Sequence, residues 1–263
     1  MSTRYSQSAS SALTGSGPAE TVSVATYHLG LKTSAPISER TRLFYGLEWT
    51  RHELELSNPS WLPHTLKTLS APLGFANRLD EHWQFLAMAS PLLAGADGGI
   101  ASAGFDVPVM ALANYVVSPE LTWSFGLRYG PHSDIKLLPI AGVTWKFAPD
   151  WKLVFGWPES GLSYRATERL TLRAVATIQG GDYRLATDPR PATSRAGASL
   201  DKSWLEYREI RVGIAAEYAF TPMYSLRADF GQVVDQRFEY LSRGVKMKGS
   251  HPSYFALSAL GRF

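Results

Sequence analysis

Residues 208–220 read REIRVGIAAEYAF, and the fold turns on how they alternate. In an extended chain Ile210, Val212, Ile214, Ala216, Tyr218 and Phe220 point to one side, while Glu209, Arg211, Gly213, Ala215, Glu217 and Ala219 point to the other. The first side is apolar throughout; the second mixes charge with small residues. Outward from this stretch the pattern repeats. YSLRADFGQ (224–232) follows behind the short Pro-containing turn FTPMY (220–224), and RLFYGLEWT (42–50), LTWSFGLRY (121–129) and LTLRAVATIQ (170–179) obey the same rule. Sustained helical periodicity is hard to find, so the period of two decides the class as all-β.

The connections alternate in length. TSAPISE (33–39), RLDEH (78–82), VSPE (117–120), FAPD (147–150), ATE (166–168) and FTPM (220–223) are tight. Between them lie longer polar ones: ELSNPSWLPH (55–64), AGADGGI (94–100), YGPHSD (129–134), LATDPRPATSRAGASLDKS (185–203) and SRGVKMKGS (242–250). Tight turns on one rim and loops on the other are the signature of an up-and-down antiparallel barrel. Taken at face value the turns give strands at 3–13, 20–33, 41–56, 65–77, 82–94, 102–117, 121–130, 135–147, 151–157, 161–167, 170–186, 203–220, 224–243 and 251–263. The reading is a transmembrane β-barrel of about fourteen strands, with twelve as the alternative, in a single domain over 1–263.

Composition narrows the setting. Eight Trp and twelve Tyr with 22 Gly and 16 Pro suit many short strands, and the chain has no Cys. No apolar run approaches the ~20 residues of a membrane helix. The first residues, MSTRYSQSASSALTG, hold no signal-peptide core, so export would imply that the numbered chain is a mature form. A net charge of +3 without a basic run argues against nucleic acid as a partner.

A soluble sandwich is the competing all-β reading, and three features oppose it. The mixed faces carry Gly46, Gly126, Gly142, Gly213 and Gly231, which suit a crowded interior better than a solvated surface. Trp49, Trp83, Trp123, Tyr129, Trp145, Trp151, Trp157, Tyr218 and Tyr224 gather near strand ends on the apolar face, as in an aromatic girdle. The last segment ends on Phe263, with Phe255, Leu257 and Ala259 on its apolar side.

The stretch 137–185, from LLPIAGVTWKFAPDWKLVFGWPESG to GGDYRL, together with RVGIAAEYAF, DQRFEY and the terminal YFALSALGRF, resembles a family of uncharacterised bacterial outer-membrane β-barrel domains of unknown function. The likeness spans roughly 20–263 and implies the fold and an outer-membrane location; it brings no catalytic or ligand residue. Phe255, Leu257, Ala259 and Phe263 look like the assembly signal that the barrel-assembly machinery reads, with Gly261 where an aromatic is usual.

The inward faces then carry Lys32, Arg42, Glu48, His52, Asp106, Arg128, Lys136, Arg173, Arg211, Glu217, Arg227, Asp229 and Arg262. Leaving out His52, basic groups outnumber acidic ones in this set. The expected function is a small monomeric porin-like channel for polar or anionic solutes in the outer-membrane lipid. The alternatives are a closed binding or structural barrel and, third, an outer-membrane enzyme. Ser160 in GWPESG is not in a Gly-x-Ser-x-Gly elbow, and a His28, His52 and Glu48 grouping is more simply lumen filling. No cofactor is expected, and Asp80, Glu81 and His82 read as a charged turn rather than a metal site.

Overall fold

The computed structural model describes residues 1–18, 20–57, 60–98, 104–195 and 197–262. The wall of the molecule has fourteen staves, several of them broken into two strands. The first stave is β1 (Ser2–Ser8) continued by β2 (Ser11–Gly15), after which β3 (Glu20–Pro36) and β4 (Thr41–Leu56) run unbroken. The fourth to sixth are β5 (Thr65–Ser70) with β6 (Leu73–Arg78), β7 (Trp83–Ala89) with β8 (Leu92–Ala96), and β9 (Phe105–Asp106) with β10 (Val109–Ser118). Next come β11 (Leu121–Tyr129), β12 (Leu137–Ala148), β13 (Trp151–Phe155), β14 (Glu159–Arg165), β15 (Leu170–Leu185), β16 (Trp204–Ala219) and β17 (Tyr224–Leu241). The last stave is β18 (Val245–Gly249) with β19 (Ser253–Gly261), and β19 pairs with β1 to close the barrel. Neighbours along the chain pair antiparallel, and no α-helix occurs among the described residues. Phe263 lies outside those residues.

The barrel changes width along its axis. Near the rim of tight turns all fourteen staves take part, with β6, β7 and β10 to β14 between β4 and β15. Nearer the rim of loops, Gly95 and Ala96 of β8 pair in parallel with Arg184 and Leu185 of β15. That bridge closes a smaller ring of β2, β3, β4, β5, β8, β15, β16, β17 and β18. The crease between the two sections falls where ladder bonds cannot continue. Pro72, Pro91 and Pro108 interrupt three consecutive staves, and as residues without an N–H they supply only carbonyls, to Gly46, Ala71 and Ser90. On the opposite flank Gly180 of β15 adopts φ 125°, where a Cβ would strike the Tyr207 carbonyl, and β17 bulges at Val234.

Width decides what fills each section. A ring of ~8 strands has an interior that side chains can fill. Here Val22, Val24, Leu54, Leu66, Leu205, Tyr207, Phe238 and Tyr240 are buried inside the narrow ring, and Leu62 and Leu200 enter from the loops above. Asp188 and Arg190 tie the second of those loops by a 2.7 Å ion pair, and the Arg190 guanidinium holds the Asp188 carboxyl well below its ordinary pKa.

Around the wide section the outward side chains are bare and apolar: Leu47, Phe125, Leu127, Ile214, Phe230 and Leu257 are all exposed, with Trp83, Trp123, Trp145, Tyr218 and Tyr224 toward the turn rim. This is a hydrocarbon-facing belt with aromatic residues at its edge. Trp157 departs from the girdle expected of it, because it sits in the turn before β14 with the Arg128 guanidinium 5.5 Å above its ring. Ile214, 66 % exposed at the middle of β16, supplies a test. Ile214→Arg will cost about 2–4 kcal/mol of stability in a bilayer, whereas Thr122→Arg, on the inward face of β11, will cost far less; unfolding both variants in liposomes with urea makes the comparison. Gly213 is unsuitable as the inward control, since a Cβ there meets the Phe230 carbonyl.

Candidate functional site: the interior of the wide section

Below the filled ring lies a chamber whose two sides differ. On β6, β7, β10, β11 and β12 one inward row is Ala76, Leu86, Leu112, Gly126 and Ile140, direct cross-strand neighbours, and the next row toward the turns, Gln84, Asn114, Ser124 and Gly142, is polar without charge. On β14 to β17 and on β1, β3 and β4 the inward faces carry charged residues among small ones. Arg173 donates to Glu217 at 2.7 Å, Arg227 meets Asp229 at 2.6 Å, and Glu159 lies 3.4 Å from Arg227 and 3.9 Å from Arg173. Lys32 pairs with Glu48 at 2.7 Å on the neighbouring strands β3 and β4.

At the crease the charges are sealed. Glu209 and Arg211 are both fully buried, two residues apart on β16. The Arg211 Nε and Nη2 atoms both stand 2.8 Å from Glu209 Oε2, its Nη1 donates to Ser6, and its guanidinium lies 4.7 Å from the Tyr254 ring. Gln236 and Gln179 amides donate to the two Glu209 oxygens. This polar layer forms the floor of the apolar ring above it.

Most residues expected on the inward faces are brought to this chamber: Lys32, Arg42, Glu48, Arg128, Arg173, Glu217, Arg227 and Asp229 alternate with lipid-facing neighbours on β3, β4, β11, β15, β16 and β17, Arg211 lies in the sealed layer above them, and Arg262 follows β19 at the turn rim. Three lie elsewhere. His52 belongs to the narrow ring, buried with Thr26 at 2.8 Å and the Tyr207 ring edge-on at 5.0 Å, because β4 has passed the crease by that point. Lys136 precedes β12 and is exposed on the loop 130–136. Asp106 is buried on β9, 3.2 Å from His132. Arg4, Glu159 and Glu209 were absent from the expected set. The alternation of 1–15 is blurred by serines, which are equally at home on either face, and so gave Arg4 no direction.

A gap flanks the chamber. β15 parts from β14 after Thr177 and meets β8 only at Arg184, so its residues 179–183 have no strand on that side among the described residues. The loop 130–136 covers this stretch: His132 stacks on Trp204 at 4.0 Å, and the Asp134 amide donates to Glu206 at 2.9 Å. Asp182, beyond the last lipid-facing residue of β15, is directly opposite Glu206. Burial first, then the Glu206 charge, pushes its carboxyl up to about 7, against the pull of Arg128.

Among the described residues, Glu48, Glu159, Glu209, Glu217 and Asp229 each have a basic partner, whereas Arg4 and Arg42 have no carboxylate within 4.0 Å; at the gap Arg128 and Asp182 are each without an ion pair. Arg42 bonds only Ser34, at 3.1 Å.

The profile of a family described as Domain of unknown function (DUF6268) matches residues 4–259. Among solved structures, the COG4313 outer membrane channel from Pseudomonas putida F1 is similar with a TM-score of 0.52 at 12% identity, covering 100% of this chain and 94% of that one. A Pseudomonas aeruginosa FadL homologue aligns with a TM-score of 0.48 at 11% identity over 99% of this chain and 89% of the other. The NanC porin aligns at 0.44 and 11%, over 100% and 99%. No curated protein matches. The first of these likenesses bears on the fold, which is that of outer-membrane β-barrels.

Proposed function

The chain belongs to the DUF6268 family of domains of unknown function, and from that premise, which leaves its activity open, we propose an outer-membrane channel for small anionic or neutral polar solutes. The tight-turn rim faces the periplasm in this reading, as in bacterial barrels generally. Outer-membrane lipid surrounds the exposed apolar belt, and the barrel-assembly machinery recognises the last stave through Phe255, Leu257, Ala259 and Phe263. The observation that carries the solute preference is that Arg4 and Arg42 are without an ion pair in a chamber where Glu48, Glu159, Glu217 and Asp229 are each paired. The likeness to an outer membrane channel supplies a fold and no solute.

The route is not axial. Apolar side chains fill the narrow ring from wall to wall, and moving a hydrated ion through them would require stripping its water without replacement. Exchange with the outside instead passes beside β15, where 179–183 lack a neighbour and the loop 130–136 forms the outer wall. Arg128, Asp182 and Trp157 line that side of the path.

The filled ring also favours one alternative, a closed barrel whose loops bind a partner. Reconstitution into a planar bilayer separates them. The channel predicts small stepwise currents whose reversal potential in a salt gradient lies on the anion-selective side; electrically silent insertion of folded protein would remove it and leave the closed barrel.

A further inference from the structure

Arg4 is the interior basic group with least explanation. It sits on β1 with its side chain inward, directly across from His28 of β3 and Ser258 of β19. Ser2 and Ser6 share its face, and Gly30 beside it presents no side chain. The Nε and Nη2 atoms have no hydrogen-bond partner among the described residues, and no carboxylate lies within 4.0 Å. The charges near enough to act on it are Asp229, Arg211 and Arg227. All three are engaged with one another or with other groups: Arg211 with Glu209 at 2.8 Å, and Arg227 with Asp229 at 2.6 Å and Glu159 at 3.4 Å. A guanidinium left without an acceptor in an interior is unusual, because the donors it withdraws from water go unrewarded.

We propose that Arg4, with the hydroxyls of Ser258 and Ser6 and the ring of His28, is a subsite for a single carboxylate or similar small monoanion carried by the solute. The planar fork of a guanidinium matches a carboxylate in two parallel hydrogen bonds, and hydroxyls on either side supply further donors. A single negative charge suits the place, since Arg211 and Arg227 act on it from one side and Asp229 already offsets part of their charge. The side chains beside Arg4 are small, Ser2 and Ser6 on its own strand and Ser258 across from it. The subsite rests on the channel reading only for how a solute arrives.

The test uses the full chain folded in detergent, with acetate titrated against chloride at constant ionic strength and the thermal unfolding midpoint followed. Wild-type protein will be stabilised by acetate in a saturable way. Arg4→Met will lose that dependence, and Arg4→Lys, which keeps the charge but not the fork, will weaken it about tenfold. Ser258→Val, which keeps Arg4 and crowds the cradle, will also weaken it and serves should Arg4→Met not fold. Acetate dependence that never saturates, or that is unchanged in both variants, overturns the subsite and would leave Arg4 as a water-bridged partner of Asp229. Since the midpoint is read without any current, a silent bilayer would sink the channel and spare this inference.

Discussion

Replacing Arg211 by Met will destabilise the folded barrel by about 3–5 kcal/mol, the range found when one partner of a buried ion pair is removed. The size follows from what is left behind. Arg211 and Glu209 are each 0 % exposed, and besides the guanidinium Glu209 is met by neutral groups, the Gln236 and Gln179 amides and the Tyr207 hydroxyl. Without Arg211 the carboxylate stays in a dry layer under the apolar ring, with neutral donors alone for a full charge. Ser6 loses its guanidinium donor, and the Tyr254 ring loses the cation 4.7 Å from its centre. Urea unfolding followed by tryptophan fluorescence reads the loss. Two controls separate this account from simple loss of packing. The double variant Arg211→Met with Glu209→Leu should recover most of the stability, because an apolar pair of similar volume often replaces a buried ion pair at little cost. Raising the salt concentration should leave the wild-type margin unchanged, as screening does not reach a buried pair. If Arg211→Met alone were nearly neutral, the layer would have to be wet, and the division of the interior into a dry ring and a polar chamber would be wrong.

That division is also where legibility in the sequence ended. The stave count could be read because each stave announces itself twice, by an apolar face of period two and by a turn at its end. Arg42, Glu48, Arg173, Glu217 and Arg227 took their directions from Leu43, Leu47, Leu172, Tyr218 and Leu226 beside them. The narrowing could not be read that way. Pro72, Pro91 and Pro108 lay inside the expected strands 65–77, 82–94 and 102–117, and nothing local says that β8, beyond the break at Pro91, gains β15 as a neighbour. The parallel contact between Gly95 and Arg184 joins residues from staves far apart in the wall. Facing was lost at the crease as well. Phe230 and Phe238 are separated by an even number of residues, which in an unbroken strand puts them on one face; the bulge at Val234 reverses the phase, so Phe230 meets lipid and Phe238 the core. Nothing in the polar sequence of the loop 185–203 says which part of the barrel it packs on. Its Leu200 and the Asp188 and Arg190 pair are buried, and they cap the narrow ring rather than the chamber.

Phe238→Ala will cost about 3–5 kcal/mol, the usual range for deleting a buried aromatic ring. Phe238 is fully buried, lies parallel to the Tyr207 ring with centroids 4.9 Å apart, and belongs to a cluster drawn from most strands of the narrow ring and from two loops. A cavity there cannot collapse easily, since closed ladders on every side hold the wall at fixed circumference. The matched control is Phe230→Ala, 62 % exposed on the lipid face of the same strand; its loss in detergent should be much smaller, because the ring it removes is solvated by detergent in the folded state. The same variant bears on the conduit. One missing benzyl group makes a void lined by Leu, Val and Tyr, which stays dry and is narrower than a hydrated ion, so bilayer currents should keep their wild-type size while stability falls. A rise in single-channel current from Phe238→Ala would mean that ions already run along the axis beside this ring, and the path beside β15 would have to be given up.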